Sequence, residues 1–322
     1  MAKKVSVIIP NYNGEELLSH NLPNVIKFCK ACEIIIVDDA SSDGSVKLIK
    51  KSYRDIKLIK NSRNLGFARS INIGVESASG DLVLLLNSDV SPREDFLDYA
   101  LKQFKDKKLF AVALADFSHE NGKIIKRGRG GAVFEKGFVN HFKLPSEFGE
   151  TLWVSGGSGL FDKEKFKALG GFDPIYAPFY WEDIDLSFRA WQMGWRCIFE
   201  PKSQVDHFHE KGAIKFFSSN FFVKTVSYKN QFLFVWKNID DYLLTLKHLL
   251  WQPYHFAKAL LTFDLPFFTG FLWAIVKIPN LIIDSSLITP AKGEAPASQR
   301  GERQRRHHSS LSEMEILKKF EK

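Results

Sequence analysis

The sequence predicts an α/β protein built on a doubly wound, mainly parallel sheet, and three observations carry that prediction. Apolar runs of strand length without alternation, Val5–Pro10, Ile34–Val37 and Leu82–Leu86, are what strands buried on both faces look like. Helical stretches separate them in the order β-α-β-α-β-α-β, which implies parallel strands joined by right-handed crossovers. Each run also stops at a polar cluster: Asn11-Tyr12-Asn13-Gly14, Asp38-Asp39-Ala40-Ser41 and Asn87-Ser88-Asp89. Carboxylates at the carboxyl ends of buried strands stand where open sheets place their ligands.

In chain order, Val5–Pro10 is the first strand and Asn13 caps a helix through Leu18. Ile34–Val37 follows, then a helix over Val46–Lys51, a short strand Ile56–Ile59, and a loop from Asn64 running into a helix. After Leu82–Leu86, Ser91 is a cap, Pro92 suits a first helical turn and Glu94 completes a capping box. Phe110–Ala115 is a further strand, and the basic segment Lys123–Gly131 is a solvated hairpin in preference to an acceptor surface. Trp153–Phe161 is a small-residue turn between strands, and Asp162 caps a short helix that stops at Gly170-Gly171. A helix carrying Leu186, Phe188, Ala190 and Trp191 begins at Glu182-Asp183-Ile184-Asp185 and ends at Gly194; the strand Cys197–Phe199 follows, with Val205–His209 beyond it. Acids in a first helical turn have an ordinary explanation, since each stabilises a helix N-terminus by roughly 0.3–1 kcal/mol.

Composition narrows the function. The 322 residues carry a net charge of +8, which suits an anionic partner. Three cysteines imply no disulfide framework, and Cys29-Lys-Ala-Cys32 lacks the second pair that a zinc site needs. The chain enters its first strand at once, so no signal peptide is expected. No strand in the first half leads into Gly-x-Gly-x-x-Gly or a P-loop, which disfavours dinucleotide dehydrogenases and P-loop NTPases. A nucleotide here is held by carboxylates and a metal.

Several ordered segments then resemble one family. Val5–Asn13, Val37–Ser45, Asn64–Asn72, Asn87–Asp89, Gly170–Asp173 and Trp181–Leu186 are similar to the motifs of family 2 glycosyltransferases with the GT-A fold, over roughly residues 3–240. Within that family the closest likeness is to rhamnosyltransferase-type enzymes of bacterial surface polysaccharides. The resemblance implies a nucleotide-diphospho-sugar donor, with UDP or dTDP favoured, and a glycan or lipid-linked acceptor. It places Pro10, Tyr12 and Asn13 around base and ribose, Asp38 or Asp39 on the pyrimidine N3–H, and Gly66, Arg69, Asn72 and Ser88 near ribose and phosphates. Asp183 aligns with the general base, and Trp153, Gly156, Gly157, Trp181 and Glu182 line the acceptor side. The chemistry calls for a divalent cation on the leaving diphosphate; Asp89 is a hard ligand for Mg²⁺ or Mn²⁺, and His207, with His209 as alternate, is the second. One base and direct attack imply inversion. Processive relatives carry Gln-x-x-Arg-Trp after the base motif; Gln192-Met-Gly-Trp-Arg196 departs from it, so a single sugar is transferred. The rivals are a catalytically silent nucleotide-sugar scaffold and nucleotidyl transfer, which needs an N-terminal basic glycine loop that is missing.

The expected division is residues 1–240 for the transferase (donor half 1–115, acceptor half 116–240), 241–290 for an amphipathic helical extension, and 291–322 for a basic linker and short helix. Leu243–Ile288 mixes aromatics with lysines, and its longest uncharged stretch, Leu265–Val276, falls short of the ~20 residues of a membrane span. Peripheral contact with the cytoplasmic membrane face is favoured over a homodimer interface. Arg300, Arg303, Arg305 and Arg306 in Lys292–Ser310 add attraction to an anionic leaflet, and without interleaved aromatics they give no nucleic-acid signal. Ser312 and Glu315 form a capping box, with Leu311 and Ile316 spaced as a hydrophobic staple.

Overall fold

The computed structural model describes residues 3–120, 122–208, 219–288 and 311–321. The amino-terminal part is a parallel βα array: β1 (Val5–Asn11), α1 (Glu15–Phe28), β2 (Glu33–Asp38), α2 (Ser45–Ser52), β3 (Lys57–Lys60), α3 (Phe67–Glu76) and β4 (Leu82–Leu86). The pairs β3–β2, β2–β1 and β1–β4 are all parallel. Strand periodicity assigns their side chains to two cores. Val5, Val7, Ile9, Leu82, Leu84 and Leu86 pack under α1 and α2, while Ile8, Val83 and Leu85 pack under α3. Both faces are covered, which is why these runs are apolar without alternation.

Beyond β4 come β5 (Val90–Pro92), α4 (Phe96–Gln103), β6 (Leu109–Glu120), β7 (Lys123–Arg127), β8 (Gly130–Glu135), β9 (Phe138–Lys143), β10 (Gly149–Glu150), β11 (Ser158–Asp162), α5 (Lys163–Ala168), α6 (Glu182–Gln192) and β12 (Arg196–His207). The sheet order is β10-β12-β6-β11-β4-β1-β2-β3, with β5 on β12 and β7 on β6. Here β11 runs antiparallel between β4 and β6, so it turns the edge of the parallel half into a mixed one. β8 and β9 form a separate antiparallel ribbon.

Three helices follow, α7 (Asn220–Asn238), α8 (Tyr242–Leu261) and α9 (Leu265–Ile288), then a short α10 (Glu313–Phe320). No described helix is long and apolar enough to cross a membrane. α10 has the expected capping box, and it buries Ile316, Leu317 and Phe320, with Phe320 against Trp191 of α6 at 5.1 Å.

Four local expectations give way. Ser91 and Pro92 do not start a helix; they pair with Asp206 and Val205 in β5–β12, and α4 begins at Phe96 after Asp95 in a left-handed conformation. Asn13 is not the cap of α1, because it too is left-handed (φ 50°) and its Oδ1 accepts from Ser42 N at 2.8 Å. The first helix runs on to Phe28, with Pro23 inside it. His207 does not lie beyond the strand that holds Cys197–Phe199 but is the last residue of the twelve-residue β12, which bulges between Glu200 and Gln204. Of the segment expected as a hairpin, Lys123–Arg127 is the exposed second arm of β6–β7, whereas Gly130 and Gly131 open β8 and pair with β9. His209 and Lys292–Ser310 lie outside the described residues, apart from which α9 ends at Ile288.

Candidate active site

The carboxyl ends of β1, β2 and β4 converge as the βα order requires. Asp38 and Asp39 are buried and already heavily engaged. Asp38 accepts from Asn11 Nδ2 (3.0 Å) and Ser41 N (3.1 Å). Asp39 accepts from Asn61 Nδ2 and Leu65 N through Oδ1 and from Gly66 N through Oδ2, each at 2.8 Å. That carboxylate therefore fixes the Asn61–Gly66 loop, and Gly66 (φ +85°) turns it into α3 with open space in front. Tyr12 is part-exposed at the same edge, Pro10 is half-buried, and Arg69 is exposed on α3. Asn72 is engaged elsewhere: its amide donates to Phe172 O (2.8 Å) and accepts from Phe172 N (3.0 Å), tying α3 to the Gly170–Phe172 turn.

At the end of β4, Asn21 Nδ2 of α1 donates to Ser88 O (2.9 Å) and so holds the Asn87–Asp89 turn. Asp89 is buried, with its Oδ1 lacking an aligned hydrogen bond although His207 Nε2 is 3.1 Å away. His207 Nδ1 lies 2.7 Å from Asp116 Oδ2. A carboxylate can only accept, so Nδ1–H donates to Asp116, and with the ring protonated Nε2–H faces Asp89 as well. Burial disfavours the imidazolium, yet Asp116 and Asp89 more than offset it and raise His207 to about 10. Asp116 is itself fixed by Ser118 Oγ (2.7 Å) and Ser158 Oγ (3.3 Å).

The Asp89 carboxylate and the His207 Nε2 3.1 Å from it, with a second carboxylate behind the ring, suit two neighbouring ligands of one small divalent cation, which would take the place of the Nε2 proton. Among the described residues no three such side chains converge to enclose an ion. Asp116 was not singled out from the sequence. Its signal is close to the one that marks Asp89: a buried apolar run, here Leu109–Ala115, that ends at an acid, although the strand itself continues to Glu120.

The other side of the cleft is linked to this one through the backbone. Asn87 N donates to Gly157 O (3.0 Å), and Gly156 N points at Asp183 Oδ2 (3.4 Å). A Cβ on Gly157 would come within 2.5 Å of the Asn87 amide and one on Gly156 within 2.9 Å of Phe172, so this turn needs both glycines. Asp183 stands in the first turn of α6, half-buried, with Ile184 N donating to its Oδ1 at 2.8 Å. Burial raises it to about 6 against those backbone donors, and burial with the Asp183 charge raises neighbouring Glu182 to about 8. Asp185 behaves oppositely: burial alone would push it up, but Arg189 and Lys237 hold it far below the usual carboxylate range. Trp181 is buried, and His141 of β9 lies edge-on to both Trp153 (5.5 Å) and Trp181 (5.7 Å). The structure thus groups Asp89 with His207, and Asp183 with Gly156, Glu182 and Trp181, across one strand-end turn.

Residues 6–170 match the family model described as glycosyl transferase family 2. Poly-beta-1,6-N-acetyl-D-glucosamine synthase of Staphylococcus aureus is 29% identical over 203 residues, 61% of this chain and 48% of that protein. The chain spans about half or less of the length of the curated relatives it matches first. Among solved structures, GalNAc-T7 with UDP, GalNAc and Mn²⁺ superposes with a TM-score of 0.60 at 22% identity, covering 75% of this chain and 49% of that one. A mannosyltransferase from Pyrobaculum calidifontis with GDP-Man and Mn²⁺ gives 0.55 at 17% identity, covering 95% and 85%. At these identities the structural likeness shows the fold, which is GT-A.

Proposed function

This chain belongs to glycosyl transferase family 2, and from that premise we propose that it transfers one sugar, with inversion, from a nucleotide-diphospho-sugar to a hydroxyl of a glycan or lipid-linked acceptor in surface-polysaccharide assembly. The observation that carries the reading is Asp183, a carboxylate raised to about 6 at the cleft side of a helix N-terminus and one glycine turn from Asp89 and His207. Its carboxylate is ionised at neutral pH and basic enough to take the acceptor's hydroxyl proton as that oxygen attacks the anomeric carbon. The bond from that carbon to the diphosphate breaks in the same displacement, which inverts the centre. Asp89 and His207 would hold a divalent cation, Mn²⁺ or Mg²⁺, whose charge stabilises the departing diphosphate. Asp116 keeps the His207 ring turned so that Nε2 faces Asp89.

The donor edge, with Pro10, Tyr12, Asn13, Asp38 or Asp39, Gly66, Arg69 and Ser88, suits a nucleoside, and Trp153, Gly156, Gly157, Trp181 and Glu182 suit the acceptor. Single transfer is supported by the replacement of the processive motif: Gln192 Nε2 donates to Glu313 (3.2 Å) and Arg196 pairs with Asp106 and Glu150, so both serve structure. The exposed apolar residues Leu249, Leu250, Leu260, Leu261 and Phe263 of the α8–α9 region support peripheral membrane contact. Sedimentation with anionic vesicles tests this, and a lipid-free dimer would replace it.

A panel of UDP-glucose, UDP-N-acetylglucosamine, dTDP-rhamnose and GDP-mannose, each with Mn²⁺, tests the reading by thermal shift and donor hydrolysis. One donor should stabilise the protein only with metal. Asp89→Ala should lose that metal dependence, and Asp183→Asn should keep binding but lose turnover by about 10²–10⁴-fold. No shift with any donor, with or without metal, would overturn the site assignment. An acceptor gaining a ladder of sugars would refute single transfer.

A further inference from the structure

Helix α7 lies beyond the segment that matches the family model, yet one of its faces is polar where a packing helix should be apolar. Val226, Leu233 and Phe234 on that face are buried as expected, and so are Lys229, Asn230 and Asn238. Positions 226, 229–230, 233–234 and 237–238 recur every three to four residues and so line one side of the helix. Lys229 is fully buried, and no carboxylate lies within ion-pair distance of it among the described residues. Its ammonium donates to Ala177 O, approaches Tyr176 O at 3.5 Å, and sits 4.6 Å from the Trp273 ring of α9. Burial lowers its pKa to about 7.

Asn230 beside it donates through Nδ2 to three backbone carbonyls: Tyr176 (2.8 Å), Phe179 (2.9 Å) and Tyr180 (2.8 Å). The reverse orientation would set its oxygen against three carbonyl oxygens, so the donor side must face the loop. Its Oδ1 is buried without a partner among the described residues. An unpaired amide oxygen and a buried ammonium without an ion-pair partner among the described residues, attracted only at longer range by Glu182, are both unfavourable, and a packing role alone would be met by leucine or methionine. What these two side chains gain is hold on residues 176–180. That loop ends in two successive left-handed aromatic residues, Tyr180 (φ 73°) and Trp181 (φ 75°), immediately before Glu182 and Asp183. Two turns along the same face, Asn238 Nδ2 donates to Asp185 Oδ1 (2.9 Å) and Lys237 pairs with Asp185 and Asp173, so the first turn of α6 is gripped as well.

We propose that Lys229 and Asn230 are positioning residues for the transfer reaction: they fix the carbonyls of Tyr176–Tyr180 and thereby set where Asp183 meets the acceptor hydroxyl. This rests on the reading of Asp183 as base, and the test separates the two. Donor affinity and Mn²⁺-dependent donor hydrolysis are measured, with whichever donor of the panel gives the largest thermal shift, for wild type, Asp183→Asn, Asn230→Ala and Lys229→Met. The doubles Asp183→Asn/Asn230→Ala and Asp183→Asn/Lys229→Met are included. The single α7 variants should bind donor within about twofold of wild type yet hydrolyse it at least about tenfold more slowly. Each double should be no slower than Asp183→Asn alone, because both changes remove one function; a merely structural contribution would multiply instead. If Asn230→Ala fails to fold, Lys229→Met, which fills the same apolar volume, carries the test. Wild-type hydrolysis in a folded Lys229→Met, or multiplicative losses in the doubles, would overturn the proposal. Wild-type hydrolysis in Asp183→Asn would remove the base reading itself, and this proposal with it.

Discussion

On the β1–β4 side of the sheet edge, the polar groups stand on the ends of four parallel strands and are bonded mostly to one another, as Asp38 is to Asn11 and Ser41, and Asp39 to the Asn61–Gly66 loop. On the α6 side, the polar groups are gathered from distant parts of the chain. Asn238 meets Asp185 fifty-three positions away, and Asn230 reaches back fifty or more positions to Tyr176–Tyr180. The difference follows from how each side reaches the cleft. A strand end is placed by its sheet neighbours, whereas α6 is reached through two left-handed aromatic residues that cost of order 1–3 kcal/mol each. The β1–β4 side is therefore bonded largely to itself, although Asn11 Oδ1, Asn21 Oδ1 and Asp89 Oδ1 stay buried without an aligned partner, and the α6 side keeps charges in settings that oppose them. Three measurements sharpen or break that contrast.

The largest expected effect is on rate. With Asp183 raised to about 6, donor hydrolysis should climb about tenfold per pH unit up to about pH 6 and then level. The acid limb belongs to this carboxylate if Asp183→Asn flattens it while Asp39→Asn leaves it in place. A limb that survives Asp183→Asn would assign the proton transfer elsewhere.

A smaller effect is expected at the metal-side histidine. Asp116→Ala leaves His207 Nδ1 without the 2.7 Å acceptor that orients it, and Mn²⁺ affinity should fall about 10–100-fold with donor-free protein still folded. Calorimetric Mn²⁺ titration reads this directly, and unchanged affinity would mean that the ring is oriented by β12 alone.

The same contrast explains what the sequence disclosed. Strands β1, β2 and β4 and their terminal acids follow from local pattern, because a buried apolar run that stops at a carboxylate needs no knowledge of the rest of the chain. The start of α4 was misread at Ser91 because its turn chemistry was locally sound. Pairing of Val90–Pro92 with β12, more than a hundred residues on, overrode that chemistry. Asp116 was legible by the Asp89 rule but sat in the less regular middle of the chain. Lys229 and Asn230 were not legible at all, since nothing in Tyr-Lys-Asn-Gln says that three carbonyls converge on the asparagine.

The smallest expected effect is on stability, and its pH dependence differs between the two sides. Asp39 accepts hydrogen bonds from Asn61, Leu65 and Gly66, so Asp39→Asn turns an amide N–H toward at least one backbone donor and should destabilise by about 1–3 kcal/mol. Asp183 binds its proton more tightly folded, at about 6, than unfolded, at about 3.9. Between those values the native state holds more protons, so ionisation of this group removes stability as pH rises from about 4 to 6 and leaves a constant deficit above. Full burial would make that deficit about 3 kcal/mol; the half-buried, cleft-facing carboxylate lowers it to the order of 1. Relative to wild type, Asp183→Asn should therefore gain on the order of 1 kcal/mol between pH 4 and pH 7.5, set against the loss from turning its amide toward Ile184 N or Gly156 N, while Asp39→Asn melts lower at both. Urea midpoints at the two pH values decide it. If the gap between Asp183→Asn and wild type does not move with pH, Asp183 is not held against its charge and the contrast between the two sides is wrong.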